Sequence, residues 1–175
     1  MIALPTSPRL TFRPCTDDDV ELLQRHWNHA DVRRHLWDDQ PVPHETVRTV
    51  VADSTASFAT HRYGLWILDD TSGFAGVCGL RATDDGDVEV LYSIAPERWG
   101  SGFATEAAAA VLQLAFALDL PRVLGGVDIA NHASRRVLEK LGMTPLDAPA
   151  GAPVGVGWLA VSRERWREAP RATSA

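Results

Sequence analysis

A short glycine-containing turn constrains this sequence more than any other feature. The segment ERWGSGFATEAA, residues 97–108, follows the alternating segment DVEVLYSIAP and leads into a run of alanines. The alternation predicts a strand and the alanine-rich run predicts a helix, so the glycines lie at a strand-to-helix turn. The first N–H groups of a helix have no partners within it, and Gly100 and Gly102 bring no side chain between a ligand and these groups. The turn therefore predicts an anion site, favoured by the helix dipole.

Two familiar phosphate-binding motifs do not match this turn. Thr105 stands where the dinucleotide-binding fingerprint has its third glycine, and no Gly-Lys-Ser/Thr sequence follows, as a nucleoside triphosphate loop requires. A tight helix start without a ligand is the alternative interpretation, and the GxG pattern alone does not separate the two.

The rest of the pattern predicts a single domain of the α/β (α+β) class. The length of 175 residues suits one hydrophobic core, and we expect a domain over residues 1–170 with a disordered tail at 171–175. The segments YGLWILDD, GFAGVCGLRA and DVEVLYSI, separated by turn signals, predict an antiparallel meander. Further strands are predicted at RLTFRP, PRVLGGVDI and VGVGWLAVS. Helices are predicted at Thr16 to about Trp27, ADVRRHLW, His44 to about Thr60, the alanine run, NHASRRVLEKLGM and Arg163 to Trp166.

Composition and charge exclude several classes of function. The formal net charge of −6 argues against nucleic acid as a partner. Cys15 and Cys78 are too few for a disulfide framework, so we expect two buried thiols and a reducing cytoplasm.

No basic signal region begins the chain, and the longest apolar stretch is too short to cross a bilayer, so no membrane is expected. His26 and His29 lack a third ligand, so no metal site is expected.

A second segment, NHASRRVLEKLGM at residues 131–143, carries a polar group on an apolar face. Asn131 can cap a helix here and Gly142 can terminate it. Four residues share the face turned toward the sheet: Ser134, Val137, Leu138 and Leu141. The Ser134 hydroxyl on that face needs a partner, which is either a ligand or a carbonyl of its own helix.

Together, WGSGFATEAA after LYSIAPER and the later NHASRRVLEKLGM resemble the GNAT superfamily of acyl-CoA-dependent N-acyltransferases. The sequence is most similar to its ribosomal-protein N-terminal (alanine/serine) acetyltransferase branch. RLTFRPCTDDDVELL near the start and LAVSRERW near the end also resemble that branch, so the resemblance covers nearly the whole chain. It implies a mixed, mostly antiparallel sheet of six to seven strands, splayed at its centre and flanked by about four helices.

The resemblance also implies how acetyl-CoA is held. Its pyrophosphate would bind the amides of the turn, and its pantetheine arm would pair with the backbone of the strand that ends at Ile94. Asn131 would hydrogen-bond the cofactor, and Arg136 would meet a phosphate. Many members of the superfamily have Arg or Gln at the position of Trp99. Members of the resembled branch often have Trp there, as this chain does. The predicted cofactor-binding residues are Tyr92, Ser93, Ile94, Trp99, Gly100, Ser101, Gly102, Phe103, Ala104, Thr105, Asn131 and Arg136.

The implied reaction is direct acyl transfer, which sets three chemical requirements. The amine must be neutral, the oxyanion needs a donor such as a backbone N–H near Ile94, and the leaving sulfur benefits from a proton or hydrogen bond. By the resemblance Ser134 serves the sulfur. Glu89, in the strand that leads to the cofactor, is the candidate base, acting directly or through water. Alternation places Glu89 on the same face as Leu91 and Ser93, and an exposed carboxylate without a role is the alternative.

The predicted function is an acetyl-CoA-dependent N-acetyltransferase that acts on a primary amine. We expect a protein or peptide N-terminal α-amine, since its pKa of about 7.8 leaves more neutral amine at pH 7 than a lysine does. Two alternatives stay open. One is a small-molecule amine acceptor, namely an aminoglycoside, a polyamine or an amino acid, and the other is a non-catalytic acyl-CoA-binding regulator. A homodimer formed through the sheet edge is also open.

Overall fold

A computed structural model describes residues 3–149 and 151–168 of the chain. Its strands are β1 (Thr11–Pro14), β2 (Leu65–Asp70), β3 (Gly73–Ala82), β4 (Val88–Ile94), β5 (Arg122–Asp128), β6 (Thr144–Leu146) and β7 (Val156–Ser162). Its helices are α1 (Val20–Trp27), α2 (Ala30–Arg33), α3 (His44–His61), α4 (Phe103–Ala117), α5 (His132–Lys140) and α6 (Arg163–Glu168). Short 3₁₀ turns at Asp17–Asp19 and Pro96–Arg98 precede α1 and the glycine turn.

The strands form one seven-stranded sheet in the order β1-β2-β3-β4-β5-β7-β6. The predicted meander is confirmed, because β2, β3 and β4 pair antiparallel along their lengths. The sheet is splayed at its centre: β4 and β5 run parallel and, among the described residues, pair only where Glu89 meets Leu124. Beyond that point the part of the chain that the structure describes places a strand beside β4 on the β3 side alone, which opens a gap toward the end of β4.

Helices cover both faces of the sheet. The alanine-rich α4 packs on β3 and β4, and its fully buried Ala107 and Ala108 have side chains small enough for close approach. The hydrophobic cluster that includes α4 also contains Val90 and Ile94 of β4. The cluster formed with α1 and α3 has Leu91 packed against it. The alternation along β4 therefore separates a face toward α4 and α5 from a face toward α1.

The predicted elements are largely confirmed. Each predicted strand is present, and β6 is an additional three-residue strand that the sequence pattern does not indicate. Of the six α-helices in the described ranges, four have eight residues or more, which agrees with the expected number of about four. The predicted tail at 171–175 and the end of the predicted domain at residue 170 lie outside the described residues. Within residues 3–149 and 151–168, every helix is too short or too polar to span a bilayer.

Candidate active site

The glycine turn after β4 has the open backbone that an anion site needs. Gly100 and Gly102 have φ of 75° and 83°, in the left-handed region that favours glycine. A Cβ on Gly100 would meet nothing within 4 Å. Helix α4 begins at Phe103, and no side chain among the described residues caps its first N–H groups. The start of α4 therefore offers free donors on an uncovered surface, which fits a pyrophosphate.

The side chains around this turn hold it in place. Arg98 Nε donates to Asp70 Oδ2 at the end of β2 over 2.7 Å, and the Ser101 hydroxyl donates to the Arg98 carbonyl. Trp99 is half-exposed, and its indole N–H donates to the Ile94 carbonyl over 2.7 Å. Trp99 therefore braces the junction of β4 with the turn. The Ile94 carbonyl, one of the groups predicted to pair with pantetheine, already has a partner.

Arg9 is a residue of this region that sequence reasoning missed. Its Nε donates to Glu106 Oε2 over 2.7 Å, and its guanidinium carbon lies 4.7 Å from the centre of the Phe103 ring. Its Nη2 lies 3.6 Å from the point that a Cβ on Gly102 would occupy. The ion pair neutralises a carboxylate in the first turn of α4 that would otherwise repel an anion. Only the fold could reveal this pair, because 97 residues separate its members.

On the α5 side of the gap, Tyr92 contacts Ser134. The Tyr92 hydroxyl oxygen lies 2.7 Å from Ser134 Oγ and 3.1 Å from the Ser134 carbonyl oxygen. The Ser134 hydroxyl thus bonds across to β4, whereas the alternative prediction joined it to its own helix. Burial raises the pKa of Tyr92 well above the ordinary tyrosine value of about 10. Tyr92 is therefore a neutral hydroxyl at the edge of the gap.

The helix that carries Ser134 begins and ends as the sequence predicts. Asn131 Oδ1 accepts the Ser134 backbone N–H over 3.0 Å, which caps the start of α5. Gly142 has a φ of 78°, and the N–H groups of Gly142 and Met143 donate to the carbonyls of Glu139 and Leu138. This is the Schellman arrangement at a helix end. Because both ends of α5 are fixed, Ser134 has a defined position at the gap.

On the opposite face of β4, Glu89 is buried, and both of its carboxylate oxygens accept hydrogen bonds. Its side chain is about 5% exposed; Oε2 accepts Arg81 Nη2 over 2.7 Å, and Oε1 accepts the Gly126 N–H over 3.2 Å. A Cβ on Gly126 would lie 2.8 Å from Glu89 Oε1, so the glycine makes the room that the carboxylate occupies. The alternative of an exposed strand carboxylate is wrong. Glu89 lies at the point where β4 and β5 separate.

Ser93 shares this face and contacts α1. Its Oγ lies 2.8 Å from His26 Nε2 and accepts the Trp27 indole N–H over 3.3 Å. Burial lowers the pKa of His26 to about 4, so the imidazole is neutral at pH 7. In the described ranges no three His, Cys, Asp or Glu side chains cluster as metal ligands would. The Ser93 hydroxyl is bonded to residues of α1. The Ser93 backbone N–H and carbonyl face Val77 of β3, so of the residues predicted to pair with pantetheine only Tyr92 and Ile94 turn their backbone toward the gap.

The segment after α2 closes over the end of β5. His35 Nδ1 lies 3.1 Å from Asp128 Oδ2, and this hydrogen bond lowers the pKa of Asp128. Asp128 lies two residues beyond Gly126 on β5 and therefore faces the same side of the sheet as Glu89. Leu36, next to His35, is 40% exposed, whereas Ile129 lies on the α5 face, near Gly157. The α1 side of this end of the gap thus has the Asp128 carboxylate bonded to His35, with the exposed Leu36 next in the chain.

The other predicted cofactor residues lie near the turn or on α5. Phe103 is buried in the core and Ala104 has no polar side chain, so these two offer only their backbone, whereas the half-buried Thr105 also has a hydroxyl. Arg136 is exposed on α5 and forms no ion pair within residues 3–149 and 151–168. The fold therefore brings the turn, β4 and α5 together around one gap.

Comparison with known proteins agrees with this arrangement. Residues 9–144 match the family model of the acetyltransferase (GNAT) domain. The uncharacterized N-acetyltransferase YoaA of Bacillus subtilis is 29% identical over 147 residues, which cover 81% of this chain and 83% of the relative. An acetyltransferase structure from Agrobacterium tumefaciens has a TM-score of 0.81 at 23% identity, covering 92% of this chain and 95% of the other.

Solved structures of this fold have different acceptors in their names. RimL, a ribosomal alpha-N-protein acetyltransferase solved with coenzyme A, has a TM-score of 0.75 at 18% identity, over 91% of this chain and 97% of RimL. The aminoglycoside acetyltransferase AAC(6′)-Ib and the spermidine N-acetyltransferase of Vibrio cholerae each reach 0.73 at 16% identity. These likenesses concern the fold and leave the acceptor open. The match of the domain model over most of the sequence identifies the activity: the chain is an N-acetyltransferase and belongs to the GNAT family.

Proposed function

We propose that this GNAT enzyme transfers the acetyl group of acetyl-CoA to the free α-amine of a peptide or protein N-terminus. The observation that carries the proposal is the placement of Glu89 and Ser134 against opposite faces of β4, where the strand leaves β5. A site that only bound acetyl-CoA would need neither a buried carboxylate on one side nor a hydroxyl on the other. Both cysteines are free and buried, which is compatible with the reducing cytoplasm we assign to the protein.

The residues of the turn fit the phosphates of acetyl-CoA. Gly100 and Gly102 expose backbone N–H groups at the start of α4, and Arg9 beside them offsets the charge of Glu106. When bound, acetyl-CoA supplies the thioester acetyl group and a thiolate leaving group. The backbone of Tyr92 faces the gap and is available to the pantetheine arm, while Asn131 and Arg136 lie on the side formed by α5.

The two faces of β4 would perform the two proton functions of the reaction. Ser134 faces the gap from α5 and would donate a hydrogen bond to the leaving sulfur. Glu89 lies on the α1 side as an acceptor-only group once ionised, and would take the proton of the incoming amine directly or through a water. A general acid or base at such a position contributes about 10² to 10⁴ in rate.

The end of the gap supports a peptide terminus as acceptor. Asp128 supplies a partly exposed carboxylate, and the exposed Leu36 follows its hydrogen-bond partner His35 in the chain. A polyamine or an aminoglycoside carries several cationic groups and would need several free carboxylates. Glu89 is held by Arg81 and the Gly126 N–H, which leaves the partly exposed Asp128 as one carboxylate for one ammonium.

An acceptor panel tests the proposal. The protein is incubated with acetyl-CoA and four amines: a peptide with a free N-terminal alanine and no lysine, the same peptide blocked at its terminus and carrying one lysine, spermidine, and an aminoglycoside. Free thiol and product mass are measured. We expect the free-terminus peptide to react at least about tenfold faster than the lysine peptide, because far more of its amine is neutral at pH 7.

The other outcomes of the panel each point elsewhere. Equal or faster reaction of the lysine peptide contradicts the α-amine preference. Rapid acetylation of spermidine or the aminoglycoside without peptide reaction assigns the enzyme to small-molecule amines. Tight acetyl-CoA binding without thiol release for any amine indicates a binding regulator.

A further inference from the structure

The mutual contact of Tyr92 and Ser134 joins two elements that are distant in sequence. Tyr92 is on β4, and Ser134 is in the first turn of α5, 42 residues later. The Tyr92 hydroxyl oxygen is within hydrogen-bond distance of two oxygens of Ser134, the Oγ at 2.7 Å and the carbonyl at 3.1 Å. A phenol has one hydrogen to donate, so the placement of that hydrogen decides where the Ser134 hydrogen is directed.

Helix α5 favours donation from Tyr92 to the Ser134 Oγ. The Ser134 carbonyl lies inside α5, where the N–H four residues later, on Leu138, is its regular helical partner. No other donor to Ser134 Oγ is found within residues 3–149 and 151–168. A phenol is also a stronger acid than an aliphatic hydroxyl, so it is the better donor of the pair. With its lone pair occupied in this way, Ser134 keeps its own hydrogen for a partner in the gap.

Tyr92 is unsuited to giving its proton away. Burial raises its pKa above the ordinary tyrosine value of about 10, whereas a thiol titrates near 8.5. Proton transfer from this phenol to a thiolate would therefore be uphill and would leave a buried phenolate. The Tyr92 hydroxyl therefore keeps its proton during the reaction and acts as a neutral hydrogen-bond donor.

We propose that Tyr92 is a positioning residue whose hydroxyl orients the Ser134 O–H toward the leaving sulfur. This inference rests on the proposed function, because it assumes that Ser134 serves the thiolate. It assigns to the Tyr92 side chain a role separate from the backbone pairing with pantetheine. Ser134 is then the group that touches the reacting sulfur, and Tyr92 acts through Ser134.

Steady-state kinetics of four variants tests this assignment, with the best acceptor of the panel as substrate. Tyr92→Phe removes only the hydroxyl, and we expect kcat to fall about tenfold while KM for acetyl-CoA stays within about twofold. Tyr63→Phe is the matched control, since Tyr63 is the other tyrosine of the chain and is also buried; its kcat should stay within about twofold. In a Ser134→Ala background, Tyr92→Phe should cause no further loss, because the two hydroxyls act as a unit.

The kinetic outcomes separate this inference from the proposed function. If Tyr92→Phe behaves like Tyr63→Phe while Ser134→Ala is impaired, only the positioning role of Tyr92 is overturned. A further tenfold loss from Tyr92→Phe in the Ser134→Ala background would also overturn it, since Tyr92 would then act independently. Full turnover of Ser134→Ala would overturn the role of Ser134 and this inference with it.

A spectroscopic measurement on the protein without acetyl-CoA tests the hydrogen bond itself. In the Tyr63→Phe background Tyr92 is the sole tyrosine, so the tyrosine doublet in ultraviolet resonance Raman spectra reports on its hydroxyl alone. We expect the doublet of a strong hydrogen-bond donor, and a change of its intensity ratio when Ser134→Ala removes the Oγ. A doublet typical of an acceptor, or one that Ser134→Ala leaves unchanged, would overturn the inference even if a variant loses activity.

Discussion

The two faces of β4 differ in the kind of polar group that each holds. On the face toward α5, Tyr92 and Ser134 form an uncharged pair of hydroxyls. On the face toward α1, Glu89 is a buried carboxylate held by the Arg81 guanidinium and the Gly126 N–H. The two faces of β4 therefore differ in charge, with neutral hydroxyls on one face and a carboxylate on the other.

The proposed mechanism gives this difference a physical reason. A leaving thiolate needs only a hydrogen bond, and two neutral hydroxyls supply it at little cost of burial. An amine that must lose a proton needs a base, and a buried carboxylate costs several kcal/mol unless charges and N–H groups compensate it. The partners of Glu89 compensate that cost, so the α1 face depends on more neighbours than the α5 face does.

The largest effect is expected for Glu89→Gln. Glutamine keeps the shape and can still accept the Gly126 N–H, but it cannot take a proton from the amine. We expect kcat/KM to fall about a thousandfold. The free energy of unfolding should change little, because the Arg81 side chain is 63% exposed and stays solvated. Glu21→Gln, at an exposed glutamate of α1 that pairs with His44, is the control and should retain full activity. A loss below about twofold for Glu89→Gln removes Glu89 from the mechanism.

Ser134→Ala should have the next largest effect. Loss of one hydrogen-bond donor to the leaving group is expected to lower kcat about a hundredfold. Calorimetry should find the affinity for coenzyme A within about twofold of wild type, because the turn and β4 are intact. Equal losses in kcat and in cofactor affinity would show that Ser134 supports binding rather than the reaction.

The phosphate site at the glycine turn can be tested with two substitutions of Gly100 that have the same shape and differ in charge. Gly100 has a positive φ that Asn and Asp tolerate better than other side chains do, and its Cβ position is open. We expect Gly100→Asp to weaken acetyl-CoA binding at least about tenfold relative to Gly100→Asn, because the added carboxylate faces the phosphates. Equal Kd values for the two variants, measured by calorimetry, would argue against a phosphate site at the turn.

The smallest effect is expected for Gly126→Ala, which crowds the Glu89 face. The new Cβ would lie 2.8 Å from Glu89 Oε1 and 3.1 Å from the Trp158 ring, so the carboxylate must shift. We expect a fivefold to tenfold lower kcat, about 1 kcal/mol, and a similar loss of stability. Gly157→Ala on β7 is the control, since its Cβ would meet the Val127 carbonyl at an ordinary 3.7 Å. Equal activity of both alanine variants would mean that the position of Glu89 is not critical.

Sequence patterns predicted the elements that local chemistry determines. The turn, the start of α4, the caps of α5 and the inward face of Ser134 all follow from residue types at short spacing, and the structure has them. The β6 strand is different: TPL is three residues long with a central proline, so it shows no alternation. It pairs with β7 at the sheet edge, where the missing N–H of Pro145 is tolerated.

The polar partners of the candidate site could not be predicted in the same way. Glu89 bonds to residues 8 and 37 positions away, and Ser93 bonds to His26, 67 positions away. The Arg81 pair follows from the hairpin of β3 and β4, but the contacts with Gly126 and His26 depend on how β5 and α1 pack beside β4, and a single sequence contains no local signal of that packing. Alternation did place Glu89 on a defined face of β4. Whether that face was covered depended on Arg81 and Gly126.

The central claim is that Glu89 on one face of β4 serves the amine and Ser134 on the other face serves the leaving group. The pH dependence of kcat/KM between about pH 6 and 9 tests it most directly. Wild type, Glu89→Gln and Ser134→Ala are compared with one peptide whose only amine is its N-terminal α-amine. We expect the factor lost in Glu89→Gln to grow as pH falls below the amine pKa of about 7.8, because the variant must wait for an amine that is already neutral. The factor lost in Ser134→Ala should stay constant over the same range. A constant loss for Glu89→Gln, or a pH-dependent loss for Ser134→Ala, would contradict the assignment of the amine to one face of β4 and the leaving group to the other.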